Sequence, residues 1–131
     1  MSVPPLSSPP GSRIVICDYN QLLQSVTGLL RMSGYAVFQA YNGPAAEELC
    51  NLLPEIRLLV LNTFGTGVDL NELVRRVRKT QPDLPVLHIG NRTPPGLPAD
   101  VVTLPEDFDS TALLTAVDEL IGTTAAAQPK Y

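Results

Sequence analysis

The 131-residue chain has no tryptophan, a single histidine and two cysteines. His88 has no second imidazole to work with, and it lies within an apolar stretch. We read it as a satisfied core or edge histidine rather than a metal ligand or phosphoryl carrier. Cys17 and Cys50 lack metal-ligand spacing, one falling in a strand pattern and one in a helix pattern. They read as reduced, buried thiols of a cytoplasmic protein rather than a disulfide. Long hydrophobic runs are missing, so no membrane span is expected. Positive charge is in deficit, with 9 Lys and Arg against 13 Asp and Glu and a net charge of −4, which sets nucleic acid aside as a direct partner. The N-terminal "MSVPPLSSPPGS" has neither the basic start nor the apolar centre of a signal peptide. Its proline and serine content marks residues 1–11 as a disordered leader or linker. No glycine fingerprint follows the first apolar stretch, where the sequence reads "CDYNQLL", and no Walker-type loop occurs.

Short apolar strands alternate with helical periodicity. Strands are expected near 13–18, 35–40, 57–62, 84–89 and 101–104. Leu22, Leu23, Val26, Leu29 and Leu30 recur at a helical period, and Gly34 can close that helix. Gly43-Pro44 opens a second helix with proline in its first turn. Asp69 with Glu72 suits a capping box for a third, whose outward face carries Arg75, Arg76, Arg78 and Lys79. That basic face reads as solvated, with docking to an acidic partner as the alternative. Acids gather instead between Asp100 and Glu119. Asp109 or Ser110 caps a last helix bearing Leu113, Val117, Leu120 and Ile121, closed by Gly122. Residues 123–131 read as a tail or linker. Alternating strands and helices give parallel pairing with right-handed crossovers, hence an open, doubly wound five-stranded sheet. The third strand runs "LLVLN" and stops at Asn62, delivering an amide to the sheet edge where ligands usually sit.

With these elements the chain resembles a response-regulator receiver domain over residues 12–122. "GYAVFQAYNGPAAEELC" is similar to that family's second strand and helix, "LLVLNTFGTGVDLNELVRRVR" to its third strand, active loop and third helix, and "PVLHIG" to its fourth strand. The resemblance implies a flavodoxin-like sheet of order 2-1-3-4-5. It also implies five chemical positions. Two adjacent acids after the first strand hold Mg²⁺, and an aspartate ending the third strand accepts the phosphoryl group. A Thr or Ser follows the fourth strand, and a Lys follows the fifth. A carboxylate nucleophile, a hard cation and a charge clamp are what phosphoryl transfer to aspartate requires.

This sequence departs at nearly all five. Asp18 is followed by Tyr19, the acceptor position is Asn62, and the hydroxyl position is Gly90. The lysine position falls on Leu104 or Glu106, and the aromatic switch position on Val101 or Thr103. The interval "GNRTPPGLPAD" holds Pro94, Pro95, Gly96 and Pro98 with only Leu97 to bury, so the family's helix between strands 4 and 5 is expected to be missing or reduced to a loop. Its loss is expected to leave an apolar patch near Leu97, making Pro94, Pro95, Leu97 and Pro98 a possible interaction surface. The implied function is a phosphorylation-independent signalling or interaction module of a two-component system, without catalytic residues, metal or cofactor. Its partner would be a protein: a kinase, an output domain or a second copy in a homodimer. Two alternatives stay open: an atypical phosphoacceptor, or a small-ligand module using the crevice above Asp18, Asn62 and Gly90.

Overall fold

A computed structural model describes residues 11–18, 23–62, 70–92 and 96–127. The elements in chain order are β1 (Arg13–Cys17), α1 (Gln24–Met32), β2 (Ala36–Ala40), α2 (Gly43–Leu52), β3 (Ile56–Asn62), α3 (Leu70–Thr80), β4 (Val86–Ile89), β5 (Val102–Leu104) and α4 (Ser110–Ala127). The strands form one sheet of order β2-β1-β3-β4-β5, and every neighbouring pair is parallel. This is the flavodoxin-like arrangement expected from the sequence.

Parallel strands covered on both faces need apolar residues on both, and the runs in β1 and β3 supply them. Val15, Leu59 and Leu61 pack with Ala46 and Cys50 of α2 and Leu73 and Val77 of α3. Ile16, Leu58 and Val60 pack on the other face with Val26 and Leu30 of α1 and Leu113, Val117 and Ile121 of α4. Gly34 ends α1 at φ +99°, in the left-handed region that suits glycine. Asn42 caps α2, its side chain accepting from the Ala45 N–H at 2.8 Å. Asp109, rather than Ser110, caps α4 by accepting from the Ala112 N–H at 2.7 Å.

The last helix does not stop at Gly122 but continues to Ala127. A glycine inside a helix costs only about 1 kcal/mol, and the alanines after it are strong helix formers. The expected cap at Asp69 and the first turn of the expected first helix at residues 20–22 lie outside the described residues.

Between β4 and β5 the described residues, 90–92 and 96–101, contain no helix. The proline-rich stretch excludes one, and the apolar residues around it are covered only in part, Val102 of β5 being exposed. Leu97 and Val101 pack against the α2–α3 side of the core, so Leu97 is half-buried rather than the centre of an exposed patch. Pro98 is exposed, and Pro94 and Pro95 lie outside the described residues. The segment is held at its end by Arg78, which donates to the Leu84 carbonyl at 2.9 and 3.1 Å and to both Asp100 carboxylate oxygens at 2.8 and 3.0 Å. Among the described residues no helix is long and apolar enough to cross a membrane.

Candidate functional site

Sheet register assembles the site. Cys17 pairs with Leu61, Asn62 with Ile89 and Ile89 with Leu104, so Asp18, Asn62 and Gly90 arrive together at the C-terminal edge. Asp18 is fully buried and Asn62 is 3% exposed. The Asn62 Nδ2 donates to Asp18 Oδ1 at 3.3 Å, while both Asp18 oxygens accept from the Leu23 N–H at 2.9 Å. An amide at position 62 therefore supplies a donor where a second carboxylate would supply a like charge. The main chain fixes Asp18 as well, its N–H donating to the Ala40 carbonyl at 2.8 Å. Tyr19, the other expected remnant position, lies outside the described residues.

Gly90 is buried, and its N–H donates to the Leu104 carbonyl at 2.9 Å. It brings no hydroxyl to the edge. The two candidates for the lysine position have different surroundings. Leu104 packs into the α1–α4 side of the core. Glu106 lines a crevice of about 200 Å³ together with Asn62, Leu23, Val26, Ile89 and Phe108. Its backbone N–H donates to the Asn91 side chain at 3.0 Å, which anchors the turn carrying it. The site thus has an acid at its rim in place of a cation.

Sequence reasoning found Asp18, Asn62, Gly90 and Glu106, and the structure gathers all four around one edge. It missed Leu23, Asn91 and Phe108. The signal for Asn91 was its place just beyond an apolar strand, in the position that makes Asn62 conspicuous. The main-chain role of Leu23 left no trace in side-chain type.

The other singled-out residues lie elsewhere. His88 is fully buried in β4, with its Nδ1 3.4 Å from Thr103 Oγ1, and burial pushes its pKa below the usual 6.5. Val101 belongs to the packed segment and Thr103 lies beside His88, and neither switch candidate carries an aromatic ring. Burial, with smaller contributions from Cys17 and Glu47, pushes the Cys50 thiol up to about 12, and both cysteines are free and buried. Such thiols are inert. Three of the four α3 cations are paired: Arg75 with Glu72, Arg76 with Glu47 and Arg78 with Asp100. Among the described residues no group of three His, Cys, Asp or Glu could hold a metal ion.

No family model and no curated protein sequence matches the chain. Solved structures do. The receiver domain of the hybrid histidine kinase CckA is 27% identical at a TM-score of 0.70, covering 84% of this chain and 99% of that one. A response regulator receiver protein from Sinorhizobium medicae WSM419 is 25% identical at 0.73, covering 85% and 94%. A CheY-like receiver domain from Methanospirillum hungatei JF-1 superposes at 0.79 with 17% identity, which speaks to the fold alone. These three solved structures are receiver domains or receiver proteins, one from a hybrid histidine kinase and two from response regulators.

Proposed function

We propose that this chain is a degenerate receiver domain: a non-enzymatic signalling module of a bacterial-type two-component system, acting in the cytoplasm through protein contacts and without aspartyl phosphorylation. The observation that carries this reading is Asn62. It ends β3 at the acceptor position, is almost fully buried, and spends its amide nitrogen on Asp18. An amide is not a phosphoryl acceptor at neutral pH, and no hydroxyl at Gly90 or cation at Leu104 or Glu106 stands ready for the phosphate oxygens. The partner would be a kinase, an output domain or a second copy of this chain. The test is intact mass after incubation with acetyl phosphate and Mg²⁺. The expected product is unmodified protein, and a stable phosphoryl adduct overturns the proposal in favour of an atypical phosphoacceptor.

The crevice beside Asn62 favours a second reading, a small-ligand module built on the same edge. A compound that raises the melting temperature of the wild type, and loses that effect in Asn62→Ala, would support it.

A further inference from the structure

We infer that the crevice over Asn62 takes a cation on a short apolar stem, an alkylguanidinium or alkylammonium group, where a receiver's site takes an anion. This rests on reading the edge as unable to hold a phosphoryl group, and it names the ligand class for the same place.

Charge comes first. Asp18 is fully buried, and its described partners, the Leu23 N–H and the Asn62 amide, are neutral. Among the described residues it has no ion-pair partner. Neutral donors satisfy its hydrogen bonding without cancelling its charge, and in a low-dielectric interior that charge is felt beyond its own contacts. Glu106 is the carboxylate among the crevice's described lining residues, and Asp18 bears on the crevice through its contact with Asn62. No Lys, Arg or His is among the described residues lining it. None occurs in the sequence of 19–22 or 63–69, which connect to Asp18 and Asn62. Arg92, two residues past Gly90, is exposed and is not among the lining residues.

Shape selects among cations. The described apolar lining is Leu23, Val26, Ile89 and Phe108, and the described polar lining is Ser25, Asn62 and Glu106. Mg²⁺ demands several oxygen ligands in near-octahedral geometry, which the described lining residues do not offer. A guanidinium needs one carboxylate edge for its charge and apolar surface for its methylenes. About 200 Å³ accommodates that head group and a short stem. A free small molecule and the side chain of a partner's arginine present the same chemistry.

The test is amide chemical-shift titration of the ¹⁵N-labelled chain with butylguanidinium, with a capped Ala-Arg-Ala peptide, and with butyramide, butyrate, phosphate and Mg²⁺ as controls. Saturable shifts at Leu23, Asn62, Ile89 and Glu106 are expected with the first two only. Glu106→Gln keeps the exposed side chain's shape and should weaken binding by roughly two- to fivefold, the worth of one solvent-screened ion pair. Tighter binding of the peptide identifies a partner's arginine as the occupant, and equal binding a free small cation; either supports the inference. Absence of saturable shifts, equal binding by Glu106→Gln, or the same shifts from phosphate or Mg²⁺ overturns it. These outcomes are separate from acetyl phosphate labelling. An unlabelled chain that ignores butylguanidinium rejects the cation site and leaves the degenerate-receiver reading standing.

Discussion

Asn62 is where a one-residue change has the clearest consequence. Replacing it with aspartate removes the donor to Asp18 and sets a second carboxylate at hydrogen-bonding distance from the first, in a place only 3% exposed. Asn62→Asp should destabilise the fold by about 1–3 kcal/mol, the cost of a lost buried donor. The cost grows as pH rises, because the crowded pair ionises fully only against mutual repulsion. Urea midpoints at pH 5 and pH 8 check this, and a larger deficit at pH 5 would contradict it. The same variant should remain a poor phosphoacceptor. The hydroxyl and cation contacts are still missing, each worth about 2–4 kcal/mol of transition-state stabilisation by analogy with oxyanion donors. Two such losses slow transfer by roughly three to six powers of ten. Near-complete labelling within minutes by acetyl phosphate would refute that. Asp18 and Asn62 were legible in the sequence because strand ends are marked by the change from apolar to polar residues. The Leu23 N–H that holds Asp18 was not, since a main-chain donor has no residue-type signature.

The connection from β4 to β5 is the element that departs most from the receiver pattern. Its proline content made the missing helix legible. How the chain would use its few apolar residues was not, because packing of one leucine and one valine depends on where the loop lands. Arg78 decides that. Its guanidinium is 16% exposed and bridges the Leu84 carbonyl to Asp100, whose carboxyl it holds below the usual carboxylate range. Arg78→Ala should cost about 1.5–3 kcal/mol, since it strands a half-buried set of charge-assisted bonds. Asp100→Asn should cost about 0.2–1 kcal/mol, because that carboxylate is 65% exposed and screened by water. Chemical denaturation of both variants separates the two effects, and equal losses would show that the carbonyl bonds contribute nothing. Gly96 supports the same docking. It sits at φ +87°, and an added Cβ would meet the Asn71 side chain of α3 at 2.6 Å. Gly96→Ala should lose about 1–2 kcal/mol from the left-handed backbone, with the displacement of Asn71 adding to that. Amide exchange should speed up at Leu97 and at 99–101 before it does elsewhere.

At the scale of the whole molecule, helices pack on both sheet faces, with the β4–β5 connection completing one of them, and every neighbouring pair of strands is parallel. The alternation made the doubly wound class readable from periodicity before any contact was known, while the order 2-1-3-4-5 was implied by the resemblance to receiver domains. What periodicity could not supply is how ionisable groups fare once enclosed, and that sets the pH range of the fold. His88 is buried with its pKa pushed below 6.5, so the unfolded chain binds its proton more readily than the folded one. Its contribution is therefore complete above about pH 6.5 and is lost as pH falls further. Asp100, lowered from 3.8 chiefly by its hydrogen bond to Arg78, acts in the same direction in a separate, more acidic window. Cys50 acts at the opposite end. Its thiol is raised from 9.0 to about 12, so stability falls as pH climbs above 9 and the unfolded thiol ionises first. The urea midpoint of the wild type should form a plateau between roughly pH 7 and pH 8.5, with an early acid slope and a late alkaline one. His88→Gln should flatten the slope between pH 7 and pH 5 while leaving the alkaline limb in place, and Cys50→Ala should do the reverse. Each variant will shift the plateau through lost packing, so the slopes rather than the midpoints carry the test. An acid slope in His88→Gln as steep as in the wild type would mean that carboxylates, not the buried imidazole, govern stability in that range.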